Sequence, residues 1–307
     1  MAHSAKILLD SISPDGVRLT TMEACFPRIV LAEFNTHRWF SRNSASSRAI
    51  PVAKMIRMVQ DNPYIPTHWG KNQKGMQAEQ EVDAQTALLA ISDWNTARDY
   101  AVHVATHLLE LGIHKQITNR LLEPFMFHTV IVTATEWDNY FHLRCHPAAH
   151  PDIRKVAELM RDALAASVPK EQNYGAWHLP LIDPAEVDET VGLGMSLDES
   201  RKMLCKISVG RCARVSYLTH DGKRDLQADI NLCDALLKNG HMSPFEHVAR
   251  PIESNDLFKG YVSAPSTGGA RTEKDYFSGN FRGWVQYRKT IPGEADMLGG
   301  ENDKPGD

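Results

Sequence analysis

Apolar and polar positions follow two rhythms along this 307-residue chain. Near the start, Ile7-Leu8-Leu9, Val17 to Ala24 and Ile29-Val30-Leu31-Ala32 are short apolar or β-branched runs of strand length. A polar loop dense in Ser, Arg and Asn runs from Asn35 to Arg48, and Pro51, Pro63 and Pro66 mark an irregular connection. The rhythm then becomes helical from Ala78 to Leu111, with Leu88, Ile91, Trp94, Ala101, Val104, Leu108 and Leu111 three or four apart and Gly112 as terminator. A second helix is expected from Lys115 to Leu122, stopping before Pro124. Thr129 to Thr135 is β-branched and reads as a strand or strand-like turn. Pro151 opens a helix to Ala166, with Ile153, Val156, Met160 and Leu164 on one stripe. Tyr174 to Ser196 reads as a surface excursion and Arg214 to Leu218 as a strand. Arg224 to Asn239 reads as a helix with Leu226, Ile230, Cys233 and Leu237 inward and Gly240 as its stop. Gly299 to Asp307 reads as a frayed tail.

Composition narrows the classes. Hydrophobic residues at 42% and charged residues at 23% are ordinary for a globular chain, and the length suffices for a substantial core. A net charge of -4 argues against a dedicated nucleic-acid or anionic-membrane binder. Cys25, Cys145, Cys205, Cys212 and Cys233 show no CxxC pairing, so neither a zinc ribbon nor a disulfide framework is suggested. Residues 1–12 carry no signal pattern, and no apolar run approaches the roughly 20 residues that span a bilayer. The expected setting is cytoplasmic.

The chemistry concentrates between Thr36 and Arg48, where three arginines and four serines crowd one short loop. Hydroxyls and backbone N–H groups there suit phosphate oxygens, and each Arg offers a bidentate charged fork. Composition alone equally permits a solvated Ser-rich turn.

His37, Arg38, Ser41, Asn43, Ser46 and Arg48 match the signature Arg-His-Arg-x-x-Ser-x-Asn-x-x-Ser-x-Arg-Tyr, and in this the chain resembles the flavin-dependent thymidylate synthases. Thr36 stands where that family has Arg, and Ala49 where it has Tyr. The stretch from Glu110 to Pro124, including Arg120, resembles the family's nucleotide-reaching helix. Asn139 to Arg144 is similar to its Asn-Phe-x-x-Leu-Arg stretch. Cys212 to Tyr217 and Asn239 to His247 resemble its Ala-Arg-Val-Ser-Phe strand and its flavin-contacting Gly-His-x-Thr-Pro-Phe-Glu-His loop. Those last two blocks precede the signature in the family and follow it here, the order of a circular permutation.

The resemblance implies an α/β (α+β) fold, circularly permuted, with a twisted sheet flanked by the helices near 78–111 and 151–166. Residues 1–298 would be one catalytic domain: 1–168 with the signature and nucleotide-binding part, 169–206 an insertion, 207–252 the permuted flavin-contacting part and 253–298 unassigned, before the tail at 299–307. It also implies methylation of dUMP to dTMP with FAD, drawing on NADPH and methylenetetrahydrofolate, in a homotetramer whose active sites lie between subunits. Alternatives within the fold are hydroxymethylation of dUMP or dCMP, or a non-catalytic nucleotide- or flavin-binding relative.

By motif match, Arg144 is the catalytic candidate, stabilising charge on the pyrimidine edge. Glu33, Thr36, Ser44, Ser46, Ser47, Arg48, Arg120 and Arg144 would bind the nucleotide. Thr36, His37, Arg38, Asn43, Ser44, Asn139, His241, Ser243 and Glu246 would contact the flavin. Glu33 replaces a family Gln, which alters the local charge balance. His142, Cys145, His146 and His150 offer a rival zinc reading, but Pro147 and Pro151 interrupt the helix it needs, and no metal is expected.

Overall fold

A computed structural model describes residues 2–294 of the protein, apart from 76, 193, 221, 223 and 265–271. The tail expected from Gly299 onward lies outside the described residues. The fold is mixed α/β. Strand β1 (Ser4–Ile12) hairpins into β2 (Arg18–Pro27), and a 3-10 turn leads into the short helix α1 (Leu31–Asn35). Then come β3 (Ser41–Ser44), α2 (Val52–Asp61), α3 (Ala84–Glu110), α4 (Lys115–Thr118), a 3-10 turn (Asn119–Phe125) and β4 (Phe127–Ala134). Helices α5 (Asp138–Arg144) and α6 (Pro151–Ala166) precede β5 (Lys170–Glu171), α7 (Pro184–Gly192), α8 (Leu197–Ala213) and α9 (Leu226–Lys238). Short strands β6 (Ala249–Pro251), β7 (Phe277–Ser278), β8 (Phe281–Arg282) and β9 (Trp284–Gln286) close the described chain.

The main sheet has the order β3-β4-β2-β1-β5, antiparallel except for the β1–β5 pair. Side chains alternate across it. On one face Met22, Ala24, Phe26, Val130, Val132 and Ala134 meet Phe34, Phe40, Trp137 and Tyr140, with Ile153, Val156 and Met160 of α6 in the same core. On the other, Thr21 and Thr133 are fully buried beneath His178 and His247.

Helix α6 covers the sheet as expected, with Pro151 in its first turn. Helix α3 does not flank the sheet; it packs on α2 and the 119–125 turn, burying only Val102 and Ala105. Leu88 and Leu111 of its expected stripe are exposed. Gly112 and Gly240 end α3 and α9 at positive φ, 75° and 70°, as read from the sequence.

Three local readings are corrected. Ile29 to Ala32 is helical rather than a strand: Val30 and Phe34, four apart, are buried while Ile29 is exposed. Such a short apolar run fits either period, and tertiary packing chose the helical one. Arg214 to Leu218 is a 3-10 continuation of α8, ended by Leu218 at φ 54°, not a strand. The helix after Lys115 does not stop before Pro124 but tightens into a 3-10 turn that contains it. The polar loop also hides β3, whose Ser41 to Ser44 pair with Thr133 to Val130. Among the described residues no helix is long and apolar enough to cross a membrane.

Candidate functional site

The edge strand β3 delivers the signature segment to a cavity of about 780 Å³. Asn43, Ser44, Ser46, Ser47 and Arg48 form one wall, Lys115 and Arg120 a second, and His241, Ser243 and Ser216 a third. Arg28 and Arg42 complete a lining with five Lys or Arg side chains and no carboxylate. The segments at 28–49, 115–120 and 213–244 therefore converge here.

The turn after β3 is set from within. Ser46 N–H donates to the Ser216 carbonyl (3.0 Å), which joins the signature to the end of α8. Buried Asn119 donates its amide to the carbonyls of Ser47 (2.6 Å) and Ile50 (2.9 Å). Because peptides are planar and trans, fixing the Ser47 carbonyl inward turns the Arg48 N–H the opposite way. The N–H groups of Ser47 and Arg48 have no partner among the described residues. Successive free amides between hydroxyls and guanidinium groups form an anion-binding concavity.

Arg28 was not legible as a site residue. Its guanidinium meets His128 Nδ1 (2.9 Å) and Glu123 (3.1 Å), and Glu123 also takes a hydrogen bond from Arg120 (2.8 Å). Burial first, then the Arg28 charge, pushes the His128 imidazole down to about 3, so its ring accepts as a neutral group. Arg42 is held by the carbonyls of Phe34 (3.4 Å) and His37 (3.1 Å). Lys115, whose Nζ donates to the Ala49 carbonyl (2.9 Å), and Ser216 also escaped the sequence reading. Only the unusual density of arginine in the signature pointed toward this wall.

Glu33, Thr36, His37, Arg38, Asn139, Glu246 and Arg144 do not line this cavity. Arg144 Nε donates to His37 Nε2 (2.9 Å), and its Nη2 reaches Thr36 Oγ1 (3.1 Å) and the Glu33 carbonyl (3.3 Å). Burial, then the charges of Arg144 and Arg42, lowers His37 to about 4. Arg144 thus has only neutral partners among the described residues. Glu33 Oε2 and Asn43 Oδ1 are buried without a hydrogen-bond partner. Arg38 and Asn139 are exposed.

A buried polar column crosses β1, β2 and β4 between His178 and His247. Ser11 Oγ meets His178 Nδ1 (2.8 Å), and His178 Nε2 meets Thr21 Oγ1 (2.8 Å). Thr21 pairs with Thr133 (2.7 Å), and Thr133 with His247 Nδ1 (2.8 Å). Burial drives both imidazoles down to about 3. The rival zinc residues are dispersed: α5 ends at Arg144, His146 accepts from Ala148 N–H (3.1 Å), and His150 caps α6. Among the described residues no group of three or more His, Cys, Asp or Glu is placed to hold a metal.

Residues 18–170 match the sequence model of the thymidylate synthase complementing protein family. Over these residues the chain is similar to this family. The matched span contains the signature, the turn with Arg120, and Arg144, and leaves the 207–252 blocks outside it. Among curated proteins nothing matches. Two solved structures are similar, both of the UMP/dUMP methylase PolB from Streptomyces cacaoi. With bound 5-Br dUMP the identity is 20% and the TM-score 0.40, over 48% of this chain and 66% of that one. With 5-Br UMP the values are 18% and 0.44, over 53% and 88%. In the first comparison this chain spans a little less than two thirds of PolB.

Proposed function

We propose that the protein is a flavin-dependent enzyme that methylates the pyrimidine of dUMP, using methylenetetrahydrofolate as carbon donor and NADPH as reductant. The observation that carries this reading is the cavity beside 43–48, where the hydroxyls and unpartnered amides of that wall face a lining with five cations, a setting that suits a nucleotide phosphate. Arg48, Arg120, Ser44, Ser46 and Ser47 bind that phosphate.

The residues present fit a flavin. Arg42 and Lys115, the lining cations outside the nucleotide set and the Glu123 pair, complement its phosphates, and the unpartnered Asn43 Oδ1 offers an acceptor to an N–H donor. His241, Ser243, Glu246, Asn139, His37, Arg38 and Thr36 are the further contacts in this reading. A bound flavin supplies the hydride that completes a methyl group. Arg144 stabilises charge that grows on the N3 and carbonyl edge of the base as C5 attacks the one-carbon unit. Its support is the absence of a carboxylate partner, which leaves the charge available.

Arg144, Arg38 and Asn139 stand outside the cavity lining of this single chain. A site completed by a second subunit accounts for that, and exposed Leu88, Leu89, Tyr100, Leu109 and Leu111 on and after α3 supply apolar surface for assembly. We therefore include a homotetramer in the proposal, with 207–252 as the permuted flavin-contacting part. Packing of that part against the signature and β4 supports the permutation: Ser216 bonds Ser46, and His247 bonds Thr133. Glu33, with its buried unpartnered oxygen, favours a second reading in which the product is hydroxymethylated or the substrate is dCMP.

The test begins with purified protein, which is expected to be yellow and to take up FAD. It is then supplied with dUMP or dCMP, NADPH and methylenetetrahydrofolate, and the product is weighed by mass spectrometry. Methylated dUMP supports the first reading, and a hydroxymethyl product or turnover of dCMP the second. Protein that binds no FAD and turns over neither nucleotide overturns both.

A further inference from the structure

The stretch Gly279-Asn-Phe-Arg-Gly-Trp-Val-Gln-Tyr-Arg288 has no role in the family resemblance, yet it grips both segments assigned to the flavin. Strands β7 and β8 form a two-residue hairpin closed by Gly279 and Asn280. Gly279 lies at φ 59°, a left-handed conformation that favours glycine, and a Cβ there would sit 2.4 Å from the Gln286 amide oxygen and displace that side chain. The turn aims Asn280 at the signature: its amide donates to the Trp39 carbonyl (2.9 Å), and its oxygen accepts from Ser41 Oγ (3.1 Å). Buried Gln286 fixes the Asn280 oxygen (2.6 Å) and donates to Ser41 as well (3.3 Å). Trp39 packs against Phe277 with ring centroids 5.6 Å apart.

Beyond β9 the chain reaches the second segment. Tyr287 N–H donates to the Val248 carbonyl (2.8 Å), and its ring stacks on Phe245. Arg288 Nη1 donates to Glu246 (2.6 Å) while its Nε donates to Glu294 (2.6 Å), which Lys289 also contacts. Glu246 is thus fixed from the C-terminal segment, by a guanidinium spanning two carboxylates.

We infer that residues 277–288 are a strap that positions the flavin-contacting groups, with Arg288 the positioning residue for Glu246 and Asn280 that for the turn at 39–41. The inference rests on the flavin reading above. A planar guanidinium holds two carboxylates at once in one orientation, which an ammonium does not do. Arg288 therefore sets where the Glu246 carboxylate stands rather than touching the ligand itself.

FAD binding, followed by flavin fluorescence, is compared in wild type, Arg288→Gln, Arg288→Lys, Glu246→Gln and the Glu246→Gln/Arg288→Gln double variant, with a thermal melt of each. Arg288→Gln is expected to weaken FAD binding about tenfold, the loss of one charge-assisted contact. Arg288→Lys should recover part of it, and the double variant should bind no more weakly than Glu246→Gln alone, because Arg288 acts through that carboxylate. Should Arg288→Gln fail to fold, Arg288→Lys and Asn280→Ala carry the same comparison. Wild-type FAD affinity in well-folded Arg288 variants, or additive losses in the double variant, overturns the strap alone. A wild type that takes up no FAD overturns the strap together with the flavin reading.

Discussion

Arg48 stands on the cavity wall beside its own unpartnered N–H, and no carboxylate pairs with it among the described residues. Its guanidinium is free for a ligand. Arg48→Ala should weaken dUMP binding by about 1.5–3 kcal/mol, the range for a charge-assisted hydrogen bond, and leave FAD binding unchanged. Calorimetric titration of each ligand decides it; loss of FAD with dUMP retained would mean that the loop serves the cofactor. Arg144 has a different signature in kinetics. As a preorganised donor to developing charge it should be worth about 10²–10³ in turnover, so Arg144→Ala loses that factor. Arg144→Lys keeps the charge without the planar fork and should not restore it fully. Equal turnover in all three proteins would remove Arg144 from the reaction.

Helices α8 and α9 meet more closely than side chains would ordinarily permit. A Cβ on Gly210 would lie 2.3 Å from the Asp229 carbonyl oxygen, and the Asp229 carboxylate ties Arg211 (2.9 Å) and Arg214 (2.6 Å). Gly210→Ala should cost about 1–3 kcal/mol by overpacking, seen as a lower urea midpoint with an unchanged slope. A neutral or stabilised variant would contradict this contact. The sequence revealed α6, α9, β4 and the glycine stops because each rests on a repeated apolar spacing or a positive-φ position. It concealed β3, since Ser41-Arg-Asn-Ser44 is polar throughout and becomes a strand only by pairing with β4. It misassigned Arg214 to Leu218, where a β-branched residue between polar ones imitates alternation while the preceding helix continues. Arg48, Arg120 and His241 were found at the cavity because motif spacing carries them. Arg28 and Lys115 were not, since a cation gains its meaning there only from what the fold sets opposite.

For the molecule as a whole, His37, His128, His178 and His247 are held neutral by burial, with folded values near 4, 3, 3 and 3. The unfolded chain, with histidines at their ordinary value near 6.5, takes up protons first as the pH falls. Stability is therefore full above about pH 6.5 and declines through the interval down to the folded values. Melting temperature should fall steadily from pH 7 to pH 5, before the carboxylates lowered by Arg18 or His220, Asp10 and Glu23, begin to contribute. A melting temperature that is flat or rising over that interval would show that the imidazoles are solvated in solution. The positive lining of the 43–48 cavity, with no carboxylate among its own residues, has a kinetic meaning too. An anion approaching a concave wall of one charge sign is drawn in before it touches, so capture should be fast at low ionic strength. Capture should slow as added salt shortens the reach of that field to about 8 Å under physiological conditions. Phosphate and sulfate buffers would occupy the same wall and pass for weak inhibitors, while a large organic cation of equal concentration would not.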